Sequence, residues 1–399
     1  MNTTPNANRK HIGIYGNTNS GKSSLMNKIL GQDISLVSNV EGTTTDPVQK
    51  AMELIPFGPV LLIDTAGLED KSQLGEIRVK KSFEYLKRLD FAIYVVDGKN
   101  LDVDTYKKWK REANKYNIKH MVVVNKLDRL SDDERSNINN IFDKPLFISA
   151  KNNENIDKLK DELIKSLEQD EEDKPIVGDL LPYGSNVVLV VPIDSEAPKG
   201  RIILPQVQVI RDCLDHGIKT YVVRDTELEE ALKEIKNIDL VITDSQAFKE
   251  VDKIVPKEIN LTSFSILFAR QKGELSHFLE GANKLKNLKP GNKILICESC
   301  THNVSHEDIG RVKIPRMLTK IAGGELNLEY KVGYDFNEDV EKYDMVIHCG
   351  ACMVNRKSVI NKINLCKEKN VPITNYGLVI AYFTGILDRS VEIFKWECL

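Results

Sequence analysis

The stretch GNTNSGKS at residues 16–23 constrains the fold of this chain more than any other feature. It matches the pattern G-x-x-x-x-G-K-[ST], follows the apolar stretch HIGIYG and opens the helix-like stretch KSSLMNKIL. In that context the glycines let the backbone wrap a phosphate chain, and the freed N–H groups at the helix N-terminus supply positive potential. The pattern therefore predicts a strand, a phosphate-binding loop and a helix within a parallel α/β sheet.

The loop residues have distinct expected roles. Gly16 and Gly21 give the backbone its freedom, Lys22 reaches the β- and γ-phosphates, and the hydroxyl of Ser23 ligates Mg²⁺. The residues expected to bind the phosphates are Gly16, Asn17, Thr18, Asn19, Ser20, Gly21, Lys22, Ser23 and Ser24.

Residues 11–167 alternate between apolar strands and helices, which indicates a mostly parallel sheet covered on both faces. The predicted strands are HIGIYG (11–16), VLLIDTAG (60–67), FAIYVVDG (91–98), HMVVVNKLD (120–128) and LFISA (146–150). Polar residues follow these strands, and the carboxyl ends of parallel strands are where such sheets bind ligands. A nucleotide site is therefore expected at that edge.

Three of the strand ends carry residues suited to a guanine nucleotide. In DTAG (64–67), Asp64 can hold Mg²⁺ through water and the N–H of Gly67 can sense the γ-phosphate. In NKLD (125–128), the Asp128 carboxylate can accept from guanine N1–H and N2, a donor pair that adenine lacks. In SAK (149–151), the N–H of Ala150 can meet guanine O6. The base-binding set is Asn125, Lys126, Asp128, Ser149, Ala150 and Lys151.

A fifth motif, EGTTTDP at 41–47, completes a set that resembles the Era/TrmE branch of GTPases over about 160 residues. The resemblance implies that Thr44 ligates Mg²⁺, with Thr43 and Thr45 as alternatives. Leu68 stands where Ras-type proteins have the water-positioning glutamine. The asparagine at position 19 is similar to that of potassium-activated relatives, which implies that K⁺ substitutes for an arginine finger in slow hydrolysis. The implied catalytic residues are Lys22, Asn19, Thr44, Asp64 and Gly67.

The rest of the chain is predicted to form two further α/β domains. The expected division is a flexible N-terminus at 1–10, a GTPase domain at 11–167, an acidic linker at 168–178, a dimerisation domain at 179–268 and a metal-binding domain at 269–399. Alternation continues through both later blocks, where LTSFSILFAR (261–270) is interpreted as a strand and 308–322 as a helix. The middle block has no phosphate loop and no paired acid and base, so a structural or oligomerisation role is expected.

Two cysteine clusters, CESCTHN at 297–303 and HCGAC at 348–352, follow predicted strands of the last block. A C-x-x-C turn suits zinc and iron–sulfur sites alike. Three hypotheses stay open on spacing: a structural zinc held by Cys300, His302, Cys349 and Cys352; coincidental buried cysteines; or a 4Fe–4S cluster. In the last case Cys300, Cys349 and Cys352 supply three thiolates. The candidates for the fourth ligand are then Glu298, His302, His348 and Cys297.

A GTPase domain, a middle domain without catalytic residues and a C-terminal C-x-H…H-C-x-x-C module together resemble the FeFe-hydrogenase maturation GTPases over essentially the whole chain. The resemblance implies a homodimeric scaffold or carrier that binds GTP or GDP, Mg²⁺ and a 4Fe–4S cluster on Cys300, Cys349 and Cys352. It also implies a di-iron precursor as cargo. The implied partners are the apo-hydrogenase and the radical-SAM maturases.

Composition limits the alternatives. A net charge of −3 over 399 residues argues against general nucleic-acid affinity. No apolar run approaches the roughly 20 residues of a membrane span. The first ten residues, MNTTPNANRK, lack the apolar core of a signal peptide. The seven cysteines are an odd number that suggests a reducing, cytoplasmic setting. An RNA- or ribosome-associated GTPase with a structural zinc site remains the main alternative, and a redox enzyme is a weaker one.

Overall fold

The computed structural model describes residues 4–31, 46–69, 73–169, 174–193, 200, 202–299, 308–334, 336 and 339–395. The chain divides into two compact units, Met1–Glu172 and Asp173–Leu399. Each unit is built from parallel strands and helices, so the predicted α/β class is confirmed.

The first unit holds a six-stranded sheet. Its strands are β1 (Lys10–Gly16), β2 (Val48–Leu54), β3 (Gly58–Asp64), β4 (Phe91–Asp97), β5 (Lys119–Asn125) and β6 (Leu146–Phe147). Its helices are α1 (Lys22–Leu30), α2 (Gln73–Leu86), α3 (Val103–Lys115), α4 (Asp132–Ile141) and α5 (Ile156–Glu168). The strand order is β2-β3-β1-β4-β5-β6, and every pair is parallel except β2 with β3.

Alternate residues of the central strands enter two separate cores. Ile93 and Val95 pack in one core with Leu25 of α1, whereas Tyr94 packs on the opposite face with Trp109 of α3. Because both faces are covered, these strands are apolar throughout, as the sequence pattern predicted. The loops after β1, β3 and β5 consequently meet at one edge of the sheet.

The second unit contains two four-stranded parallel sheets, ordered β10-β9-β7-β8 and β12-β11-β13-β14. The strands are β7 (Asn186–Val190), β8 (Lys219–Val223), β9 (Ile238–Thr243), β10 (Asn260–Ser263), β11 (Lys293–Glu298), β12 (Asn327–Val332), β13 (Met345–His348) and β14 (Ile373–Asn375). The helices are α6 (Leu204–Asp215), α7 (Leu228–Glu234), α8 (Phe248–Ile254), α9 (Phe264–Lys272), α10 (Leu275–Asn283), α11 (Ile314–Ala322), α12 (Arg356–Glu368), α13 (Tyr376–Thr384) and α14 (Leu387–Ser390).

One hydrophobic core runs through both sheets of this unit, from Val187 in β7 to Ile347 in β13. Polar contacts also attach α14, which follows the second sheet, to β10 and α8: the hydroxyl of Thr262 donates to the Ser390 carbonyl (2.9 Å), and Arg389 donates to a carboxylate oxygen of Asp252 (2.5 Å). The second unit thus packs as a single body that carries two sheets. The predicted boundary between residues 268 and 269 stays a prediction.

The interpretation of residues 261–270 as a strand is wrong beyond Ser263. The strand β10 ends there, and the Ser263 hydroxyl accepts from the Ile266 N–H (3.3 Å) to cap helix α9. Most of α9 is buried, so apolar residues occupy every side of the helix. Such a run has no helical period to distinguish it from a buried strand.

The helix predicted over 308–322 consists of a π-helical turn, Ile309–Lys313, that continues into α11. In the part of the chain that the structure describes, no helix is both long and apolar enough to cross a membrane.

Candidate functional site

The phosphate loop after β1 requires both of its glycines. Gly16 has φ +142° and Gly21 has φ +95°, conformations that L side chains rarely adopt. A Cβ on Gly16 would also overlap the Val95 carbonyl, and one on Gly21 would overlap the side-chain amide of Asn125. The loop therefore packs against β4 and the end of β5 too closely for any side chain.

The Lys22 ammonium lies inside this loop. Its Nζ donates to the carbonyls of Gly16 (3.0 Å) and Asn17 (2.8 Å), and the residue is only 8 % exposed. Burial lowers the Lys22 pKa, while the negative charge of Asp64 opposes that shift. The ammonium is thus held within the loop, a position suited to binding a triphosphate.

Ser23 and Asp64 lie in contact, as expected of the residues predicted to hold a divalent cation. The Ser23 hydroxyl donates to Asp64 Oδ2 (2.5 Å), and burial raises the pKa of this carboxyl. Asp64 Oδ1 is buried with no hydrogen-bond partner among the described residues. A hydroxyl beside a carboxylate with a spare oxygen fits Mg²⁺, which prefers hard oxygen ligands. The threonines 43, 44 and 45 lie outside the described residues.

The residues predicted to bind the base lie together at the ends of β5 and β6. Asn125 Nδ2 donates to the Ser20 carbonyl (2.9 Å), and its Oδ1 accepts from the N–H groups of Lys126 (2.8 Å) and Ala150 (3.0 Å). This side chain ties the phosphate loop to the predicted guanine loops. Sequence reasoning assigned Asn125 to the base, and the structure shows its additional role of joining the loops.

The carboxylate of Asp128 is oriented by a hydroxyl. Ser149 Oγ donates to Asp128 Oδ1 (2.6 Å), and this hydrogen bond lowers the pKa of the carboxyl. Asp128 is therefore ionised at neutral pH and suited to accept two N–H donors. It borders a cavity of about 640 Å³. That cavity is lined by Asn19, Gly21, Lys22, Ser23, Ser24, Asn27, Lys28, Asn125, Lys126, Asp128, Arg129, Ala150 and Lys151.

Two carboxylates that hold the phosphate loop were not predicted. Glu69 accepts from the Thr18 N–H (3.0 Å), and Asp102 accepts from the Asn17 side-chain amide (2.9 Å). Gly67 lies against Thr18 so closely that a Cβ would overlap it. The position of Glu69 just after DTAG was the only signal in the sequence, and nothing near Asp102 pointed to the loop.

The turn that contains Cys349 and Cys352 begins where β13 ends. The Ser299 N–H donates to Cys349 Sγ (3.1 Å), and the Cys349 thiol donates to Ser299 Oγ (3.0 Å). Cys349 and Cys352 are both partly accessible and free of disulfides. A thiolate at Cys349 would thus receive N–H and O–H donors, which are groups that stabilise metal-bound sulfur.

The candidates for a fourth ligand divide between the two faces of this sheet. Cys297 pairs with His348 in the register of β11 and β13. Because side chains alternate along a strand, these two share one face, and Glu298, the last residue of β11, lies on the other.

The two nitrogens of His348 are both engaged. Lys362 can only donate, so its 3.2 Å contact makes Nε2 the acceptor, and Nδ1–H then donates to the Cys349 carbonyl (2.9 Å). Burial lowers the pKa of His348 to about 3, with the Lys362 charge adding to the effect. In this arrangement the neutral imidazole holds the Cys349 backbone and presents no nitrogen to a metal.

Glu298 is held by Arg311, whose Nε and Nη2 donate to Oε2 (3.0 and 2.6 Å). Glu298 Oε1 and Tyr376 Oη are buried without hydrogen-bond partners among the described residues. Tyr376 also lines a cavity of about 140 Å³ next to Cys352. Two unsatisfied polar atoms beside the thiols of this turn fit a bound metal group.

Cys300 and His302 lie outside the described residues, so the structure does not place the third predicted thiolate. Within the described part, no group of three His, Cys, Asp or Glu side chains is arranged around a metal position. The two thiols of the H-C-x-x-C turn are thus the described portion of the candidate centre.

Three family models match consecutive parts of the chain. The model of a 50S ribosome-binding GTPase matches residues 11–126, the hydrogen maturase F dimerization domain matches 176–273, and the hydrogen maturase F tetramerization domain matches 276–393. The two hydrogen maturase models together span more than half of the chain.

Curated relatives match the GTPase part. GTPase Der of a Nitratiruptor species is 37 % identical over 166 residues, which cover 41 % of this chain and 35 % of that protein. The tRNA modification GTPase MnmE of Flavobacterium johnsoniae is 36 % identical over 162 residues, covering 38 % and 34 %. The chain thus spans about a third of the length of these relatives.

Solved structures resemble the chain more distantly. Era bound to MgGDPNP and a 16S ribosomal RNA fragment has a TM-score of 0.34 and 19 % identity, covering 54 % of this chain and 91 % of that one. The G domain of the T. maritima FeoB iron transporter has a TM-score of 0.32 and 23 % identity, covering 40 % and 99 %.

The matched domains follow one another in the order GTPase, dimerization and tetramerization, and the GTPase match falls on the loop that holds Lys22. We conclude that the chain belongs to the hydrogen maturase F family and carries a GTPase domain.

Proposed function

We propose that this chain is a GTP-controlled scaffold or carrier in the maturation of FeFe-hydrogenase. It holds a 4Fe–4S cluster on Cys300, Cys349 and Cys352, and it assembles or transfers a di-iron precursor to the apo-hydrogenase with the radical-SAM maturases as further partners. The observation that carries the proposal is the H-C-x-x-C turn on the second unit, within a chain that matches both hydrogen maturase domains.

The first unit supplies a switch based on GTP and Mg²⁺. Lys22 supplies charge for the phosphates, Ser23 and Asp64 hold the metal ion, and Asp128 selects guanine. Leu68 cannot position the attacking water, so hydrolysis is slow unless another group completes the site. This fits a carrier that changes state once per delivery.

Potassium is the proposed completing ion. Asn19 lines the nucleotide cavity and is exposed, with φ +60°. Replacing sodium with potassium at equal ionic strength should raise the hydrolysis rate of the wild-type chain and leave that of Asn19→Ala unchanged. Equal rates of the wild type in both salts would remove potassium from the proposal.

A second copy of the chain is the proposed structural partner. Strand β8 is the last strand of its sheet, and Val222 on it is 46 % exposed. Leu214 on the neighbouring helix α6 is 67 % exposed. An edge strand with exposed apolar side chains is suited to self-association, and the dimerization model covers both positions.

The bound cluster supplies iron sites at which a second metal fragment can attach. The chain itself contributes thiolates, a hydrogen bond from the Ser299 N–H to the Cys349 sulfur, and a neighbouring cavity beside Cys352. The described free cysteines suit a reducing compartment, and we place the protein in the cytoplasm.

A division of labour between the two units tests the proposal. Lys22→Ala should abolish GTP hydrolysis and keep the iron content, whereas Cys349→Ser should lose iron and keep hydrolysis. In an assay that follows hydrogen evolution by apo-hydrogenase incubated with precursor-loaded chain, Cys349→Ser should give no activation. Full activation by Cys349→Ser would contradict the carrier function.

A further inference from the structure

Two buried lysines flank the H-C-x-x-C turn. Lys272, at the end of α9, is 4 % exposed, and its Nζ donates to the carbonyls of Ala351 (3.1 Å), Cys352 (3.4 Å) and Val354 (2.9 Å). A single ammonium thus holds the backbone on both sides of Cys352. It also lies against the turn at Ala351, whose φ is +57°.

Lys362 approaches the same turn from helix α12. It is also 4 % exposed, and it donates to His348 Nε2 (3.2 Å) and to the Gly333 carbonyl (3.3 Å). The other ring nitrogen of His348 donates to the Cys349 carbonyl, so Lys362 and this carbonyl are connected by the His348 ring. Lys362 therefore acts on the first cysteine of the turn, as Lys272 acts on the second.

A positive charge in a buried site favours negative charge nearby, because its surroundings screen it weakly. Two ammonium groups that reach the same turn therefore make it a favourable place for anionic ligands. Thiolates that hold an iron–sulfur cluster carry such negative charge, and reduction adds one more unit of it.

We propose that Lys272 and Lys362 are positioning residues that fix the H-C-x-x-C turn and compensate the charge of the thiolate-bound cluster, thereby raising its reduction potential. This inference rests on the proposed function, because it requires a cluster at the turn. Removing either positive charge makes the reduced, more negative state less favourable, so the reduction potential should become more negative.

The test is a redox titration of the full-length chain, reconstituted anaerobically with iron and sulfide and followed by electron paramagnetic resonance. Lys362→Met and Lys272→Met should each shift the reduction potential to more negative values. Lys362→Arg, which keeps the charge, should restore most of the wild-type potential. The methionine variants should also lose iron to a chelator faster than the wild type, since the turn is held less firmly.

The matched control is Lys367→Met, which removes a lysine from the same helix α12. Lys367 pairs with Glu274 at the surface and its side chain is 38 % exposed, so its loss should leave the potential unchanged. If a methionine variant fails to fold, judged by circular dichroism, the corresponding glutamine variant removes the charge and keeps a hydrogen-bond donor.

The results separate this inference from the proposed function. A wild-type chain that takes up no iron or sulfide overturns both. Suppose instead that the wild type binds a cluster and that the neutral Lys272 and Lys362 variants have the same reduction potential as Lys367→Met. That result overturns only the role of the lysines. A negative shift that is confined to the neutral variants supports it.

Discussion

Replacing Gly21 with alanine should damage the GTPase unit in two measurable ways. Gly21 has φ +95°, and an alanine in such a conformation costs about 1–2 kcal/mol. The added Cβ would also overlap the side-chain amide of Asn125, which must then move. That movement breaks the bond from Asn125 to the Ser20 carbonyl (2.9 Å) and disturbs the bond from the Ala150 N–H (3.0 Å).

Each of these hydrogen bonds contributes about 1 kcal/mol. Gly21→Ala should therefore lower the free energy of unfolding of this unit by about 3 kcal/mol, with backbone strain and the lost bonds taken together. Because Asn125 joins the phosphate loop to the base loops, the affinity for GDP should fall by about 30-fold, which corresponds to roughly 2 kcal/mol.

Gly31→Ala is the matched control. Gly31 ends the same helix α1 that Gly21 precedes and has φ +67°, but a Cβ there would meet no atom within 4 Å. Backbone strain should lower the free energy of unfolding of this variant by only about 1 kcal/mol, and the variant should bind GDP as the wild type does. Denaturant unfolding followed by Trp109 fluorescence, in a Trp396→Phe background, and titration with a fluorescent GDP analogue measure both effects. Equal stability and equal GDP affinity of the two variants would refute the packing argument.

Other predictions concern the base, pH and self-association. Asp128→Asn should weaken GTP binding by roughly 10- to 150-fold, because a charge-assisted hydrogen-bond pair is lost. In competition titrations this variant should favour xanthosine triphosphate over GTP. Unchanged base selectivity would contradict the role of Asp128. Burial lowers the pKa of His11 to about 4, so the neutral ring contributes fully to stability above pH 6.5. The free energy of unfolding should therefore fall by about 3 kcal/mol through His11 as the pH drops from 6.5 to 4. In urea unfolding across this range, the loss should be smaller in His11→Asn than in the wild type by about that amount, and equal losses would contradict the assignment. Val222→Asp and Leu214→Asp should lower the mass measured by light scattering below that of the wild type, whereas an unchanged mass in both variants would place this interface elsewhere.

The nucleotide site was the most predictable part of the molecule. Its residues are brought together by strands of a parallel sheet, and a motif at each strand end identifies its position in space. Spacing and order could therefore predict that Asp64 and Asp128 lie at this edge of the sheet. Glu69 and Asp102 were missed because a carboxylate that accepts from a backbone N–H leaves no pattern in the sequence.

In the second unit, the local sequence pattern was not enough to predict the secondary structure or the buried lysines. Apolar residues at 261–270 serve a strand up to Ser263 and a buried helix beyond it, and the change is marked only by a capping serine. Lys272 and Lys362 were not singled out either. A lysine in a sequence is most often exposed, and only the packing of α9 and α12 shows that these two reach the cysteine turn.

The sequence identifies candidate metal ligands but does not show on which face of the sheet each of them lies. Cys297 and Glu298 are neighbours in the sequence and were both candidates, yet alternation along β11 directs them to opposite faces of the sheet. That His348 bonds to Lys362 and to the Cys349 backbone depends on the register of β11 and β13.

The most direct test of the proposed function is metal and sulfide analysis of the chain purified without oxygen. A carrier that holds one 4Fe–4S cluster should contain roughly four iron and four acid-labile sulfide per chain, and Cys349→Ser should reduce both. Stoichiometric zinc without sulfide, retained by the wild type, would contradict a cluster-bearing scaffold and indicate a structural metal site.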